Sequence, residues 1–199
     1  MNILIDLLPK KVEIKSIEYE INSDFRTSML FEMLMQDIEL TEEEKIINAL
    51  KLYYPIMPNN LDIAVEKILW FYRCGKDIKE SKEVGKGKSV QIYDYNFDDE
   101  YIYSAFLDQY NVDLQDIEYL HWWKFKAMFK SLKEDNEIVK IMGYRSMDLK
   151  KIKDKEQKAY YTNMQELYKL PVIKSKAEEQ KINDIEKALM GNGDLKNIL

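Results

Sequence analysis

The sequence is poor in the residues that build covalent and metal-bound frameworks. Its 199 residues include one cysteine, Cys74, and one histidine, His121. A single cysteine excludes an intrachain disulfide and suits a reducing compartment. One cysteine and one histidine also cannot form a zinc site of the usual Cys and His spacing. We therefore predict no metal and no cofactor.

Glycine, proline and long hydrophobic runs are scarce as well. There are six glycines and four prolines, while 46% of residues are hydrophobic and 33% are charged. This composition is typical of a soluble, helix-rich globular protein, and the length suits one domain. No run approaches the roughly 20 apolar residues that span a bilayer. The apolar start carries an acid inside it and lysines after it, the reverse of a secretion signal, so we expect no membrane partner.

The net charge of −6 and the isoelectric point of about 5.1 argue against nucleic acid as the main partner. The stretch 76–96 is rich in lysine, glycine and serine and has neither helical nor strand periodicity. It is predicted to be a flexible loop. A nucleic-acid binder that uses the lysines of 76–88 remains an alternative, and steep salt dependence of binding would reveal it.

Residues 1–22 are predicted to form a small antiparallel β element. β-branched and aromatic residues recur at period two, first in 3–8 and then, beyond Pro9, in two further segments. The phase slips at Ser16, where a turn fits. The alternating positions are Val12, Ile14, Ile17, Tyr19 and Ile21.

Helical spacing with capping residues dominates the rest, so the predicted fold class is mainly α. We expect a single helical domain over 1–171, followed by a C-terminal helix and tail at 172–199 that project from it. The predicted helices begin after caps at Ser23 or Asp24, Thr41 with Glu44, Asn60, Asp98, Asp113, Asp154 with Gln157, and Ser175. A further short helix is predicted to cover Asn136 to Met142, before Gly143.

The helix predicted over 113–132 is the expected centre of the core. On a helical wheel, His121, Trp122 and several aliphatic residues share one arc, whereas Trp123 lies outside it. An apolar arc is the usual place for a hydrogen-bonded core histidine, so we do not assign His121 as a catalytic base. An enzyme that uses His121 or the acids near Asp98 is the less favoured alternative.

Two short motifs resemble ligand loops incompletely. Asp94, Asn96 and Asp98 match the first three ligand positions of a calcium loop, but Asp99 replaces the glycine of the turn, so helix capping is the preferred interpretation. Gly87 and the following Lys-Ser resemble the end of a phosphate loop, but the earlier glycine is missing. We predict no catalytic residues and no enzyme activity.

The segment HWWKF allows two interpretations. Adjacent tryptophans on a helix diverge by about 100°, so Trp123 needs a burial partner different from that of Trp122. The partner is either another helix of the same domain or another protein. The methionines Met29 and Met33 similarly suit either core packing or an adaptable binding surface.

The segments HWWKFKAMF and KIMGYRSMDLKKIKDKEQKAYYTNMQELYKLP, together with INSDFR near the start, closely resemble the phage gene-product-fifteen family. This family is encoded in the tail modules of phages and prophages of Gram-positive bacteria. The resemblance covers most of 1–171, and the Trp-Trp and Gly-Tyr-Arg-Ser segments are its most specific parts.

The resemblance implies a tail-assembly chaperone that binds the tape-measure protein in the host bacterial cytoplasm and keeps it soluble while the tail tube polymerises. The tail-tube protein is a second expected partner, and homo-oligomers are left open. A structural tail protein retained in the virion, such as a connector or completion subunit, is the alternative. We expect Trp123→Ala to weaken client binding without loss of the fold. The predicted partner-binding residues are Trp123, Trp122, Lys126, Tyr144, Arg145, Met29 and Met33.

Overall fold

The computed structural model describes residues 2–76 and 90–171, where seven α-helices follow a two-stranded antiparallel sheet. This arrangement confirms the predicted mainly α fold with a small N-terminal β element. The strands are β1 (Lys11–Ile14) and β2 (Ile17–Glu20). The helices are α1 (Phe25–Gln36), α2 (Glu42–Tyr53), α3 (Leu61–Tyr72), α4 (Asp99–Tyr110), α5 (Trp122–Lys130), α6 (Glu137–Ser146) and α7 (Lys155–Leu167).

The two strands are joined by a tight turn at the predicted position. Lys15 and Ser16 both adopt the left-handed region, with φ of 49° and 62°. Two consecutive left-handed residues give a turn whose twist matches that of the strands. Val12 and Ile14 on β1 are buried, and β1 contacts α3. The sheet therefore covers one side of the helical core.

The strand predicted for 3–8 is wrong. The carbonyl oxygen of Asn2 accepts from the N–H groups of Ile5 and Asp6, which coils this segment into a turn. Leu4 and Leu7 are 90% and 93% exposed. In the described part of the chain the sheet has no third strand to pair with, so alternating apolar residues here find no burial partner. We call residues 2–8 the N-terminal arm.

Several predicted helix caps are confirmed in atomic detail. The Asp24 carboxylate accepts from the N–H of Arg26 at the start of α1. Thr41 and Glu44 form the reciprocal capping box of α2. The Asn60 side chain accepts from the N–H of Ile63, the third residue of α3. The Asp154 side chain likewise accepts from the N–H of the third residue of α7.

Helix α5 lies at the centre of the core, as the sequence predicted for this segment. The ring of Phe125 stacks between Phe25 of α1 and Phe106 of α4, with centroid distances of 5.0 and 4.8 Å. Helix α2 contacts α1 and α3, and α6 contacts α4 and α7. Phe125 thus connects the first helices of the chain to the later ones.

The N-terminal half of the helix predicted over 113–132 is wrong, because α5 begins only at Trp122. The Asp113 carboxylate accepts from backbone N–H groups two and three residues on, which forms a turn. The Arg26 guanidinium donates to the carbonyl oxygens of Leu114 and Ile117 at 2.9 and 2.8 Å. These bonds from α1 occupy carbonyl groups that a helix would use internally.

The predicted end of α6 before Gly143 is also wrong, since the helix continues to Ser146. A Cβ added at Gly143 would meet no atom within 4 Å. Gly75, after α3, differs from Gly143 in its backbone conformation and in the space around its Cα. Its φ is +68°, as predicted for a helix C-terminus, and an added Cβ would lie 2.7 Å from Cη2 of Trp123.

These two glycines give a matched pair of predictions. Gly143→Ala is expected to raise the free energy of unfolding by roughly 0.5–1 kcal/mol, because alanine restricts the unfolded chain and favours the helix. Gly75→Ala is expected to lower it by more than about 1 kcal/mol, because the left-handed backbone and the indole both oppose a Cβ. Urea unfolding of both variants measures the two effects. Equal shifts would contradict the assigned conformations.

The predicted loop 76–96 is described only in part. Residues 77–89, including Gly87, lie outside the described residues, as do 172–199 with their predicted helix. Asp94 and Tyr95 are buried, so the packed structure resumes before the end of the predicted loop. Within 2–76 and 90–171, no helix is long and apolar enough to cross a membrane.

Candidate partner-binding surface

Trp122 is part of the core. Its side chain is fully buried, and its indole N–H donates to the carbonyl oxygen of Tyr72 at 2.9 Å. The ring of Tyr72 stacks on the indole at a centroid distance of 5.5 Å. Trp122 therefore joins α5 to the end of α3 and is not available to a partner.

Trp123 is also buried, with 4% of its surface exposed. Its indole N–H donates to the carbonyl oxygen of Phe71 at 2.8 Å, and its ring meets that of Trp70 edge-on at 5.6 Å. Cη2 of the same ring lies against Gly75. Of the two interpretations of the double tryptophan, packing against another helix of the same domain is the one observed. The surface position expected for Trp123 is wrong.

His121 caps α5 from a buried position. Its Nδ1 accepts from the N–H of Trp123 at 3.1 Å, so Nε2 carries the proton and donates to the carbonyl oxygen of Pro9 at 3.0 Å. It is a hydrogen-bonded core histidine, as predicted, although it lies at the helix start and not on its face. Burial lowers its pKa below the ordinary value of 6.5.

This histidine predicts a pH dependence of stability. Between the lowered folded pKa and 6.5, the unfolded imidazole binds a proton that the folded imidazole does not. The free energy of unfolding should therefore fall as pH drops from 7 towards 5. His121→Asn keeps a capping oxygen and removes this titration, so its melting temperature should change less over the same interval. An equal slope in both proteins would contradict the assignment.

A cleft opens beside Trp123, between the end of α3 and α5. Its volume is about 580 Å³. Four cationic side chains line it, together with apolar and aromatic ones and the thiol of Cys74. Among the residues of 2–76 and 90–171 that line it, none carries a carboxylate. We call it the cationic cleft. Its lining residues are Ile3, Tyr72, Arg73, Cys74, Lys76, Trp123, Lys126, Ala127 and Lys130.

Lys126, one of the predicted binding residues, lies within this cleft. Its ammonium group is 5.0 Å from the ring centroid of Trp122 and 3.4 Å from the hydroxyl of Tyr93. Burial lowers the pKa of this lysine. Cation–π contact and a hydrogen bond hold the charge at the cleft wall, where a negative group could reach it.

Arg145 is not a surface residue, contrary to expectation. Its side chain is 8% exposed and that of Asp98 is 1% exposed, and the guanidinium donates to both carboxylate oxygens at 2.6 and 2.9 Å. Further bonds reach the carbonyl oxygens of Ile92 and Tyr168. Asp98 therefore forms a buried ion pair and makes no side-chain cap bond to α4, which corrects the predicted capping role.

Tyr144 is half-buried in a cluster of tyrosines between α6 and α7. Its ring stacks on Tyr168 at 5.9 Å, and its hydroxyl lies 3.3 Å from that of Tyr160. The hydrogen bond with Tyr160 raises the pKa of Tyr144. The cluster joins α7, which has no buried residue, to the rest of the domain.

Met29 and Met33 on α1 are half-buried and pack against the core. Met29 also lines a second cavity of about 340 Å³, which Tyr95 and Leu114 border. The cavity is separate from the cationic cleft, because the two share no lining residue. A binding role for these methionines remains a prediction.

Sequence reasoning missed the other cations of the cleft. Arg73 and Lys76 follow α3, whereas Lys126 and Lys130 lie on α5, and only the packing of the two helices brings them together. The spacing of Lys126 and Lys130, one helical turn apart, was the available signal. Within 2–76 and 90–171, no group of three or more His, Cys, Asp or Glu side chains could hold a metal ion.

Comparison with known proteins gives one family. The family model described as Bacteriophage Gp15 protein matches residues 4–170. No curated protein matches the chain, and no solved structure matches it. The matched span includes all nine helices and strands described above.

Proposed function

Because the chain belongs to the bacteriophage Gp15 protein family, we propose that it is a tail-assembly chaperone of the host cytoplasm that binds the tape-measure protein and keeps it soluble. The family is one of phage structural and tail-module proteins. The finer role as a chaperone is our inference. It also predicts that the tail-tube protein meets the complex during assembly.

The observation that carries this proposal is the exposed apolar side chains of the N-terminal arm. Leu4, Ile5 and Leu7 are each at least 80% exposed and point into water, although they belong to a short segment adjacent to the cationic cleft through Ile3. Exposed apolar groups of this kind commonly mark sites of protein interaction. An apolar helical client would cover them and gain free energy from their burial.

The α1 and α2 region adds apolar groups that the described structure leaves in water. Leu30 and Ile38 are about half exposed, as is Ile47 on α2. Helical clients present apolar side chains on one face, so several shallow apolar contacts suit them better than a single deep pocket. The chain thus offers contacts for an extended client.

Removing the gene from the phage tests the proposal. We expect the tape-measure protein to become insoluble in lysates and tails to be missing, because the client loses its partner. We also expect mass spectrometry to find the chain in wild-type lysates and not in purified particles. A fixed number of copies in every particle would instead support a structural tail protein.

Substitutions in the N-terminal arm test whether its exposed apolar side chains bind the client. Leu4→Asp with Leu7→Asp should reduce the amount of tape-measure protein that stays soluble, without a change in melting temperature, because both side chains are solvent-exposed. Ile56→Asp with Met57→Asp is the matched control, since these side chains are 76% and 43% exposed and lie in the α2–α3 turn. Equal client solubility in the two proteins would remove the arm from the binding surface.

A further inference from the structure

The cationic cleft concentrates positive charge in a chain whose net charge is −6. Four cations line about 580 Å³, a volume within the range of about 300–1,000 Å³ that ligand pockets occupy. Clustered charges of one sign with low-dielectric walls attract groups of the opposite sign. The four cations are Arg73, Lys76, Lys126 and Lys130.

Within residues 2–76 and 90–171, these four side chains form no ion pair with a carboxylate. The negative charge of Glu32 acts on Lys126, but its carboxylate accepts from the hydroxyl of Tyr72. Nε of Arg73 is buried and has no hydrogen-bond partner in the described structure. A buried donor without a partner is costly, and an oxygen from a ligand would satisfy it.

The remaining wall of the cleft is apolar. Ile3, Ala127 and the aromatic side chains of Trp123 and Tyr72 form it. A small inorganic anion would leave this wall uncovered. A polypeptide that carries both carboxylates and a large apolar side chain would cover the wall and neutralise the cations.

We propose that the cationic cleft docks an acidic segment of the tape-measure protein. Its carboxylates bind Arg73, Lys126 and Lys130, and one large apolar side chain packs against Ile3 and Ala127. The identity of the partner rests on the proposed chaperone function. The cleft supplies the orientation of the client, whereas the N-terminal arm supplies nonspecific apolar contact.

Charge reversal at the exposed rim tests this inference. Lys76→Glu with Lys130→Glu changes two exposed cleft residues. Lys124→Glu with Lys133→Glu is the matched control, because both lysines are exposed, lie outside the cleft lining and give the same net charge. Circular dichroism melts verify that both variants fold like the wild type.

The probes are fluorescein-labelled overlapping peptides from the tape-measure protein of the same tail module. We expect the tightest peptides to carry net negative charge and to bind the cleft variant at least about tenfold more weakly, with the control within about twofold of wild type. Binding should weaken as salt increases. Because Cys74 is the chain's only cysteine and lines the cleft, a bound peptide should slow its reaction with a disulfide reagent.

Neutral or basic preferred peptides, equal binding by the cleft variant, or unprotected Cys74 would overturn the inference. So would displacement of the peptides by an equally tight single-stranded oligonucleotide, which would identify a phosphate site. If full-length tape-measure protein co-purifies equally with the cleft variant and the wild type, the cleft inference is wrong and the proposed function is unaffected. Its failure to co-purify even with the wild type would instead remove the proposed function.

Discussion

Replacing Arg145 with methionine should lower the free energy of unfolding by about 3–5 kcal/mol, the usual cost of leaving a buried charge without its partner. The guanidinium holds Asp98 with two bonds of 2.6 and 2.9 Å and also binds the carbonyl oxygens of Ile92 and Tyr168. It thereby joins α6 to the segment before α4 and to the end of α7. Urea unfolding followed by circular dichroism measures the loss.

Two further variants separate the ion pair from simple loss of a side chain. Adding Asp98→Asn to Arg145→Met removes the stranded carboxylate, so the double variant should be more stable than Arg145→Met alone. Lys140→Met breaks an exposed pair with Glu137 and should cost no more than about 1 kcal/mol. If Arg145→Met unfolds at the same urea concentration as Lys140→Met, the buried ion pair does not stabilise the fold.

Trp123→Ala should lower the free energy of unfolding by about 3–5 kcal/mol, because it removes a large buried side chain and leaves a cavity. The indole is 4% exposed, packs against Trp70 and Gly75, and donates to the carbonyl oxygen of Phe71. The carbonyl group would lose its partner in the same variant. This result reverses the expectation from the sequence that the fold would be intact.

The neighbouring Lys124→Ala is the control for this variant, since Lys124 is exposed on the same helix and should change stability by less than about 0.5 kcal/mol. Trp123→Phe should fall between the two, because it keeps a ring and loses the N–H donor. A Trp123→Ala protein that melts like the wild type but no longer binds the tape-measure protein would return Trp123 to the binding surface.

Local chemistry made part of the fold predictable. The capping box of Thr41 and Glu44 and the cap at Asp154 depend on residues three positions apart, and both were identified correctly. The left-handed turn at Ser16 was also marked by a break in the strand pattern. Such features need no knowledge of the rest of the chain.

Long-range bonds account for most of the errors. Arg26 draws the carbonyl oxygens of Leu114 and Ile117 away from helix formation across about 90 residues of sequence. Asp98 and Arg145 are 47 residues apart, so the sequence suggested a helix cap and a surface charge where the fold forms an ion pair. The spacing of apolar residues along the sequence could not reveal these two long-range interactions.

The cationic cleft was only partly predictable, because its lining residues come from distant parts of the sequence. Lys126 was identified as a binding candidate, and it lines the cationic cleft. Its partners Arg73 and Lys76 were not identified, because only the contact of α3 with the region around Trp123 places them beside it. Burial removes Trp122 and Arg145 from the surface, whereas Tyr144 stays half-exposed.

Co-expression with the tape-measure protein of the same tail module tests the central claim most directly. We expect the tape-measure protein, insoluble when expressed alone, to remain in the soluble fraction and to co-purify with the chain through affinity and size-exclusion steps. A tape-measure protein that stays insoluble and unbound, with the chain present in mature particles, would contradict the chaperone function.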